Sequence, residues 1–455
     1  MLTASSTDGC AAAPYLPAPY PTSWPTLAGR AKSLTGIRAV AALLVLATHA
    51  AYGTGKETHG YIGLLYSRLE IGVPIFFVLS GFLLFGPWVR AAANGFMPPP
   101  VGRYAVRRIR RIMPAYVLTV LLIYLLYQVH PAHPNPGHTW TGLFRYLTLT
   151  QIYTDDYIST YLHQGMTQMW SLAVEVAFYM ALPVLAHLLL VVLCRRRWRP
   201  GLLLAGLAAL AAISPIWLIV LYTTHWLPSA AGMWLPAYLA CFAGGMLLAV
   251  LRATGVRCHA FAVIPVALIS YLIVSTPIGG DVTTSPVKLW EPLAKAGFYA
   301  IIATLAVAPL ALGDRGWYER LLSSGPMVAL GEISYEVFLI HVAVMAIATG
   351  AVLRWPVFTG SLTELFVVTL VLTIPPAWLL HRVTHGQKSA TPSRENSAED
   401  DAELESLRLV SASQALELAV ASFERTSTSG ALGSCGCGMA AREKSAIAPG
   451  RKTTQ

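Results

Sequence analysis

Apolar runs of about 18–22 residues recur ten times along the 455-residue chain, and a run of that length is what an α-helix needs to cross a bilayer core of about 30 Å. They fall at roughly residues 34–52, 71–90, 111–130, 169–193, 201–222, 232–251, 260–276, 292–312, 328–352 and 361–380. Mostly short polar connections separate them, and no internal repeat is evident. The pattern predicts an all-α membrane protein, a polytopic bundle of about ten transmembrane helices spanning residues 34–382. The flanks read differently. Residues 1–33 are Pro/Ala-rich and are expected to be a disordered cytoplasmic N-terminus, with no cationic start before an apolar run and hence no cleavable signal peptide. Residues 383–455 form a polar, largely disordered cytoplasmic tail, with an acidic run (Glu399, Asp400, Asp401, Glu403, Glu405) followed by an Ala/Leu stretch that can form one helix.

Composition agrees with the pattern. Hydrophobic residues make up 55% and charged residues 12%, with a mean hydropathy of +0.57, whereas a soluble domain carries about 25% charged residues. The net charge of +10 is no nucleic-acid footprint, because it is confined to the apolar part. Residues 1–386 hold 24 Lys+Arg against 13 Asp+Glu, while residues 387–455 hold 8 against 9. Basic residues between spans set topology. With the N-terminus inside, about seventeen lie on the inner side up to Arg320 and about six on the outer side (Lys56, Arg68, Arg145, Lys288, Lys295, Arg354). That contrast puts both termini in the cytoplasm. The six cysteines (Cys10, Cys194, Cys241, Cys258, Cys435, Cys437) show no metal or redox spacing, and none falls in an outer segment, so no structural disulfide is expected. The longest outer loop, about 131–168, opens with HPAHPNPGH. His130, His133 and His138 lack nearby carboxylates, so a Pro-stiffened loop over the bundle is preferred to a metal site.

Candidate chemistry centres on residues 34–50, LTGIRAVAALLVLATHA. Arg38 and His49 are eleven residues apart, which returns to nearly the same helix face about 16 Å along the axis. A cation and a titratable ring on one stripe of a membrane helix are costly, so they point to function rather than to packing. The second span carries Ser80-Gly81, for which close helix packing is the simpler reading. The run RRIRRIMPAY, residues 107–116, offers either topology anchors or guanidinium clamps for phosphate. In the fourth span, WSLAVEVAFY, Glu175 lies about five residues (roughly 8 Å) below the outer interface, with Tyr179 one turn on. A carboxylate at that depth faces the bundle. The ninth span, GEISYEVFLIHV, carries Ser334 and His341 seven apart on one face, with Glu332 and Glu336 as anchors near its inner start. In this topology Arg38 and the arginine cluster fall in the inner half, and His49, Glu175 and His341 in the outer half. An inner cationic site and an outer acid/base site suit transfer from an anionic cytosolic donor to an acceptor across the membrane.

In order, LTGIRAVAALLVLATH, IGVPIFFVLSGFLL, RRIRRIMPAY, MWSLAVEVAFY and GEISYEVFLIH resemble the motifs of the acyltransferase 3 family of integral membrane O-acyltransferases. The resemblance covers about residues 34–382. It implies that Arg38 and His49 are the family's Arg-x10-His pair, that Arg108 and Arg111 are its Arg-x-x-Arg motif, and that Glu175 and His341 match acids and histidines of later motifs. Two positions depart from the pattern: Thr35 stands where an Asp or similar polar residue is usual, and Pro74 where an acid is usual. The implied activity is that of an acyltransferase transferring groups other than amino-acyl groups. Its donor is cytosolic acyl-CoA, usually acetyl-CoA, as co-substrate, with no bound cofactor and no metal. The acceptor is a hydroxyl of a sugar-containing envelope lipid, glycan or similar carbohydrate. The short polar tail leaves no expectation of an appended extracytoplasmic domain, which resembles stand-alone actinobacterial members.

The resulting expectation is a multi-pass plasma-membrane O-acyltransferase in which His49 and Glu175 are catalytic and Arg38, Arg108 and Arg111 bind the donor. Arg107, Tyr179, Ser334 and His341 are expected to support them, with Arg110 nearby. The alternative from another class is a transporter of a lipid-linked sugar or proton using the same His and Glu as a relay. A structural scaffold would leave the intramembrane ionisable residues unexplained.

Overall fold

The computed structural model describes residues 27–129, 135–154, 162–224, 226–281, 288–356 and 358–385. The expectations for His130, His133, Cys10, Cys435, Cys437, most of the N-terminal segment and the polar tail lie outside these residues. The helices are α1 (Leu27–Gly53), α2 (Gly60–Ser67), α3 (Gly72–Asn94), α4 (Val101–Val129), α5 (Trp140–Leu147), α6 (Trp170–Ala186) and α7 (Pro200–Thr223). They continue as α8 (Leu235–Ala253), α9 (Ala260–Val274), α10 (Trp290–Leu312), α11 (Trp317–Leu322), α12 (Gly325–Glu332), α13 (Ser334–Ile347) and α14 (Leu362–His385). Among the described residues there is no strand, and nine helices are long and apolar enough to cross a membrane. The protein is an all-α, multi-pass membrane protein.

The tenth predicted span is α9, which has only 15 residues and is about 22 Å long. Its two ends nevertheless reach opposite sides. At its start the Ala260 amide donates to Asp314 Oδ2 (3.3 Å), just beyond the inner end of α10. At its other end Tyr271 donates to the Leu65 carbonyl (2.6 Å), and the Val274 carbonyl accepts from Arg68 Nε (3.2 Å). Arg68 lies in the outer connection after α1, is 1% exposed, and also donates to the carbonyls of Gly279 (2.9 Å) and Gly280. A buried guanidinium is tolerable because carbonyls surround it. Among the described residues, nine helices are thus long enough to span, and the shorter α9 links the two sides as a tenth apolar segment.

Helix α3 lies at the centre, packed against α1, α6, α8 and α10. Its contact with α8 is backbone against backbone. A Cβ on Gly81 would lie 2.2 Å from the Phe242 carbonyl oxygen, and one on Gly245 2.0 Å from that of Val78. Small residues allow this approach in a bilayer, where helix association relies on packing rather than on hydrophobic exclusion. Phe77 and Phe178 stack on Phe242, at 4.7 and 4.0 Å between ring centres, and lock the contact. The outward apolar positions, such as Leu121, Leu122 and Leu125 on α4 and Leu268, Ile269 and Leu272 on α9, form the lipid-facing belt.

Three departures from the predicted spans matter for the site. Helices α1 and α4 begin well before their apolar runs, because Lys and Arg are good helix formers beyond the hydrocarbon boundary. A 3-10 turn, Gln164–Met169, precedes α6 within the outer half. The ninth span breaks at Ile333 into α12 and α13.

On the outer side an imidazole relay ties His138 and His163 to α4. The Gly165 amide donates to His163 Nδ1 (3.2 Å), which fixes the tautomer by hydrogen-bond geometry. His163 Nε2–H then donates to His138 Nδ1 (3.1 Å), and His138 Nε2–H to Gln128 Oε1 (3.1 Å). Tyr124 and Tyr127 pack on the two rings. Burial, with His138 alongside, lowers the His163 pKa from 6.5 to about 3.

Two predictions follow from this packing. Gly81→Leu leaves no room between α3 and α8; overpacking costs about 1–3 kcal/mol or more, so the detergent-solubilised variant should melt several degrees lower. An unchanged Tm would mean that the two backbones are not in contact. The unfolded His163 takes a proton below about pH 6.5 and the folded one only near 3, so stability is lost as pH falls through that window, by about 5 kcal/mol at most. Once the intrinsic pH dependence of exchange is divided out, the protection of amides 162–166 should fall between pH 7 and 4.5 in the wild type. His163→Gln should flatten that response, and equal acid sensitivity in both proteins would refute the relay.

Candidate active site

A cavity of about 580 Å³ opens in the inner half of the bundle between α1, α3, α4, α6, α13 and α14. Its polar end holds Arg38, Arg108, Arg111, Glu175 and Tyr179; its outer end is apolar, with Val73, Phe76, Leu172 and Phe338. Arg38 is positioned by close backbone contact at the start of α1. A Cβ on Gly36 would lie 1.8 Å from the Leu322 carbonyl oxygen, and one on Gly331 2.0 Å from that of Thr35. Arg108 and Arg111, three apart on α4, share the face that continues through Ile112, Ala115 and Tyr116 into the core. Arg107, Arg110 and Arg111 are all exposed, but of these only Arg111 lines the cavity. The phase of the helix thus divides the four arginines into two pairs.

Glu175 is where the structure corrects the sequence reading. It does not join His49 in the outer half. It lines the inner cavity, within electrostatic reach of Arg38 and Arg108. The 3-10 turn before α6 adds about two turns of chain on the outer side, which carries Glu175 deeper than a span starting at Trp170 predicts. Tyr179, one turn on, donates to Glu175 Oε1 at 2.5 Å, and Ser80 Oγ donates to the same oxygen. The expected packing role belongs to Gly81, and Ser80 fixes the carboxylate. Tyr104 in turn donates to the Tyr179 carbonyl (3.1 Å).

Among the described residues, the ion pairs are Lys295–Glu70, His259–Asp314 and His381–Glu336, and none involves Arg38, Arg108 or Arg111. Arg108 Nε is buried without a protein partner. Three guanidiniums against one carboxylate already held by two hydroxyls leave positive potential in the cavity. Forked donors of this kind suit phosphate oxygens.

The outer part of the site is an imidazole pair. His341, 1% exposed, has Nδ1 at 2.8 Å from the Phe338 carbonyl and 3.2 Å from that of Val337. Carbonyls only accept, so Nδ1 carries the proton and Nε2 bears the lone pair. His49 Nδ1 lies 2.7 Å from the Val45 carbonyl and 3.5 Å from His341 Nε2. Its proton therefore points at both acceptors, which leaves His49 Nε2 unprotonated. The rings meet edge to face at 5.0 Å. His49 is half-buried and lies outside the lining of the inner cavity. The geometry is that of a base held by an orienting group.

Ser334 lines the cavity and spends its hydroxyl on the Gly331 carbonyl (2.8 Å), stabilising the break at Ile333. Glu336, taken from sequence as an anchor, is 1% exposed and pairs with His381 (3.0 Å) on α14. No sequence signal joined them, since 45 residues separate the two. His381 and Glu332 also border a neighbouring cavity of about 600 Å³ with Trp378 and Arg382. Among the described residues, no three His, Cys, Asp or Glu side chains gather as metal ligands do.

Comparison with known proteins gives a consistent result. A family model described as an acyltransferase domain matches residues 32–382. Acyltransferase MdmB of Streptomyces mycarofaciens is 27% identical over 379 residues, covering 78% of this chain and 90% of the relative. Peptidoglycan O-acetyltransferase OatA of Listeria monocytogenes is 26% identical over 334 residues, covering 70% of this chain and 50% of the relative. This chain thus spans only half the length of that second protein. No solved structure matches.

Proposed function

The chain belongs to the acyltransferase 3 family of membrane O-acyltransferases, and from that premise we propose that it moves an acyl group, by preference acetyl, from cytosolic acyl-CoA to a hydroxyl of an envelope carbohydrate or glycolipid. One observation carries this reading: Arg38, in a phosphate-suited arginine cavity, and His49, an oriented imidazole base, lie on one helix, about 16 Å apart along its axis. Arg38, Arg108 and Arg111 hold the donor's phosphates from the inner side. The thioester extends outward to His49. His49 Nε2 takes the acceptor hydroxyl proton as its oxygen attacks the thioester carbonyl. The tetrahedral intermediate collapses, the C–S bond breaks, and the imidazolium returns the proton to the departing thiolate. His341 keeps His49 in the required tautomer.

Glu175 takes a different role from the one expected of it. Fixed by Ser80 and Tyr179, it offsets part of the arginines' charge without pairing with any of them. The carbohydrate acceptor is favoured by a relative named for peptidoglycan O-acetylation.

His49→Ala should lower transfer in proteoliposomes by roughly 10²–10⁴-fold, the usual worth of a general base, with donor binding retained. Normal transfer by that variant would remove the centre of the mechanism. Arg108→Ala and Arg111→Ala should each raise the donor KM by roughly 10–100-fold, the loss of a charge-assisted phosphate bond. Exposed Arg107→Ala and Arg110→Ala should leave it unchanged. A uniform response of all four arginines would assign them to topology alone. Mass spectrometry of envelope glycans and glycolipids from cells with and without the protein then identifies the acceptor as the species lacking one acyl group.

A further inference from the structure

The inner cavity and the imidazole pair are two polar spaces in one bundle, and a single aromatic layer lies between them. Phe76 is one turn outward of Ser80 on α3. Phe338 is one turn outward of Ser334 on α13 and one turn inward of His341. Both rings line the outer end of the cavity, which neither His49 nor His341 borders. They meet edge to face with centres 6.2 Å apart, and Phe338 lies 5.9 Å from the His341 ring. Moving outward, the order is arginines and Glu175, then the two phenylalanines, then His341 and His49.

We propose that Phe76 and Phe338 form an aromatic shutter that seals the donor cavity from the outer face and admits the acyl group by its cross-section. The proposal rests on the donor reading above. The physical need is plain. Below the rings Ser80, Tyr179 and Glu175 form a hydrogen-bonded chain, and above them two imidazoles carry exchangeable protons. Water between the two sets would complete a path for protons across the membrane. The rings interrupt it.

Both rings pack in the core, Phe338 with 8% of its surface exposed, but each also borders the cavity. The Phe338 backbone is fixed: its carbonyl accepts from His341 Nδ1 and from the buried Gln168 side chain (3.3 Å), which also donates to the Leu339 carbonyl at 2.7 Å. Opening therefore falls to the side chain, which borders open cavity on one side. Phe76 is half-buried and free of polar ties. A slender pantetheine arm carrying a small straight acyl group can turn the rings aside. A branched acyl group needs a wider opening.

The test uses purified full-length protein in liposomes loaded with a pH-sensitive dye. Wild-type vesicles should hold an imposed pH gradient. The double variant Phe76→Ala/Phe338→Ala should dissipate it at least tenfold faster, with Phe338→Leu intermediate and serving as the milder variant if the double one fails to fold. A non-hydrolysable thioether analogue of acetyl-CoA should slow the leak by occupying the passage. In turnover assays, the preference for acetyl over isobutyryl donors should narrow severalfold in Phe338→Leu. Folded variants with an intact gradient and an unchanged acyl preference would overturn the proposal. A leak that the analogue does not slow would uphold the seal while removing acyl-CoA as the molecule that opens it, which separates this inference from the donor reading.

Discussion

A guanidinium and an imidazole on one apolar helix cannot both face lipid, and the bundle is arranged around sheltering them. Arg38 and His49 are about 16 Å apart on α1. Each needs polar company, and each needs a different kind. Helices α4 and α6 supply the inner end with two further arginines and a carboxylate, and α13 supplies the outer end with His341. The glycine contacts that seat α1 on α12 and α3 on α8 bring these helices close enough for short side chains to meet. Family membership, from the match over residues 32–382, agrees with the same helices.

Electrostatics in the inner cavity is arranged by subtraction. Glu175 could pair with any of three arginines, yet its Oε1 is held by Ser80 and Tyr179. Hydroxyl donors keep the carboxylate solvated by the protein and away from direct ion pairing. The guanidiniums therefore retain unused donors in a low-dielectric space, where an anion gains far more from them than it does in water. Arg68 on the outer side is the opposite case: its donors are consumed by backbone carbonyls, so it stabilises a loop and is not available to a ligand.

Much of this was legible in the chain. Ten apolar runs gave the spans because length alone decides what crosses a bilayer. The Arg38–His49 stripe follows from helical phase, whereas the choice of Arg108 and Arg111 over Arg107 and Arg110 rests on the family resemblance. What could not be read has a physical cause in each instance. The depth of Glu175 depended on a 3-10 turn that hydropathy does not distinguish from the helix after it. The pairing of Glu336 with His381 joins helices whose contact no spacing encodes. Ser80 carried two readings at once because its neighbour Gly81 explains the packing and hides the hydroxyl. The acid expected at Pro74 is absent, and in this half of the bundle Glu70, one turn earlier, carries a carboxylate held by Lys295 (2.5 Å) and Tyr299 (2.8 Å).

Helix α9 has a consequence for the membrane itself. At about 22 Å it is some 8 Å shorter than a typical hydrocarbon core, and such mismatch is met by thinning the adjacent bilayer. Its exposed residues Phe261, Leu268, Ile269 and Leu272 leave lipid, rather than protein, to make up the difference. The outer end of α9 is tied through Arg68 and Tyr271 to the connection that follows α1, close to the end of the helix that bears His49. A short helix there favours a thinner bilayer along the flank nearest His49, and a thinner bilayer brings the imidazole closer to the outer headgroups.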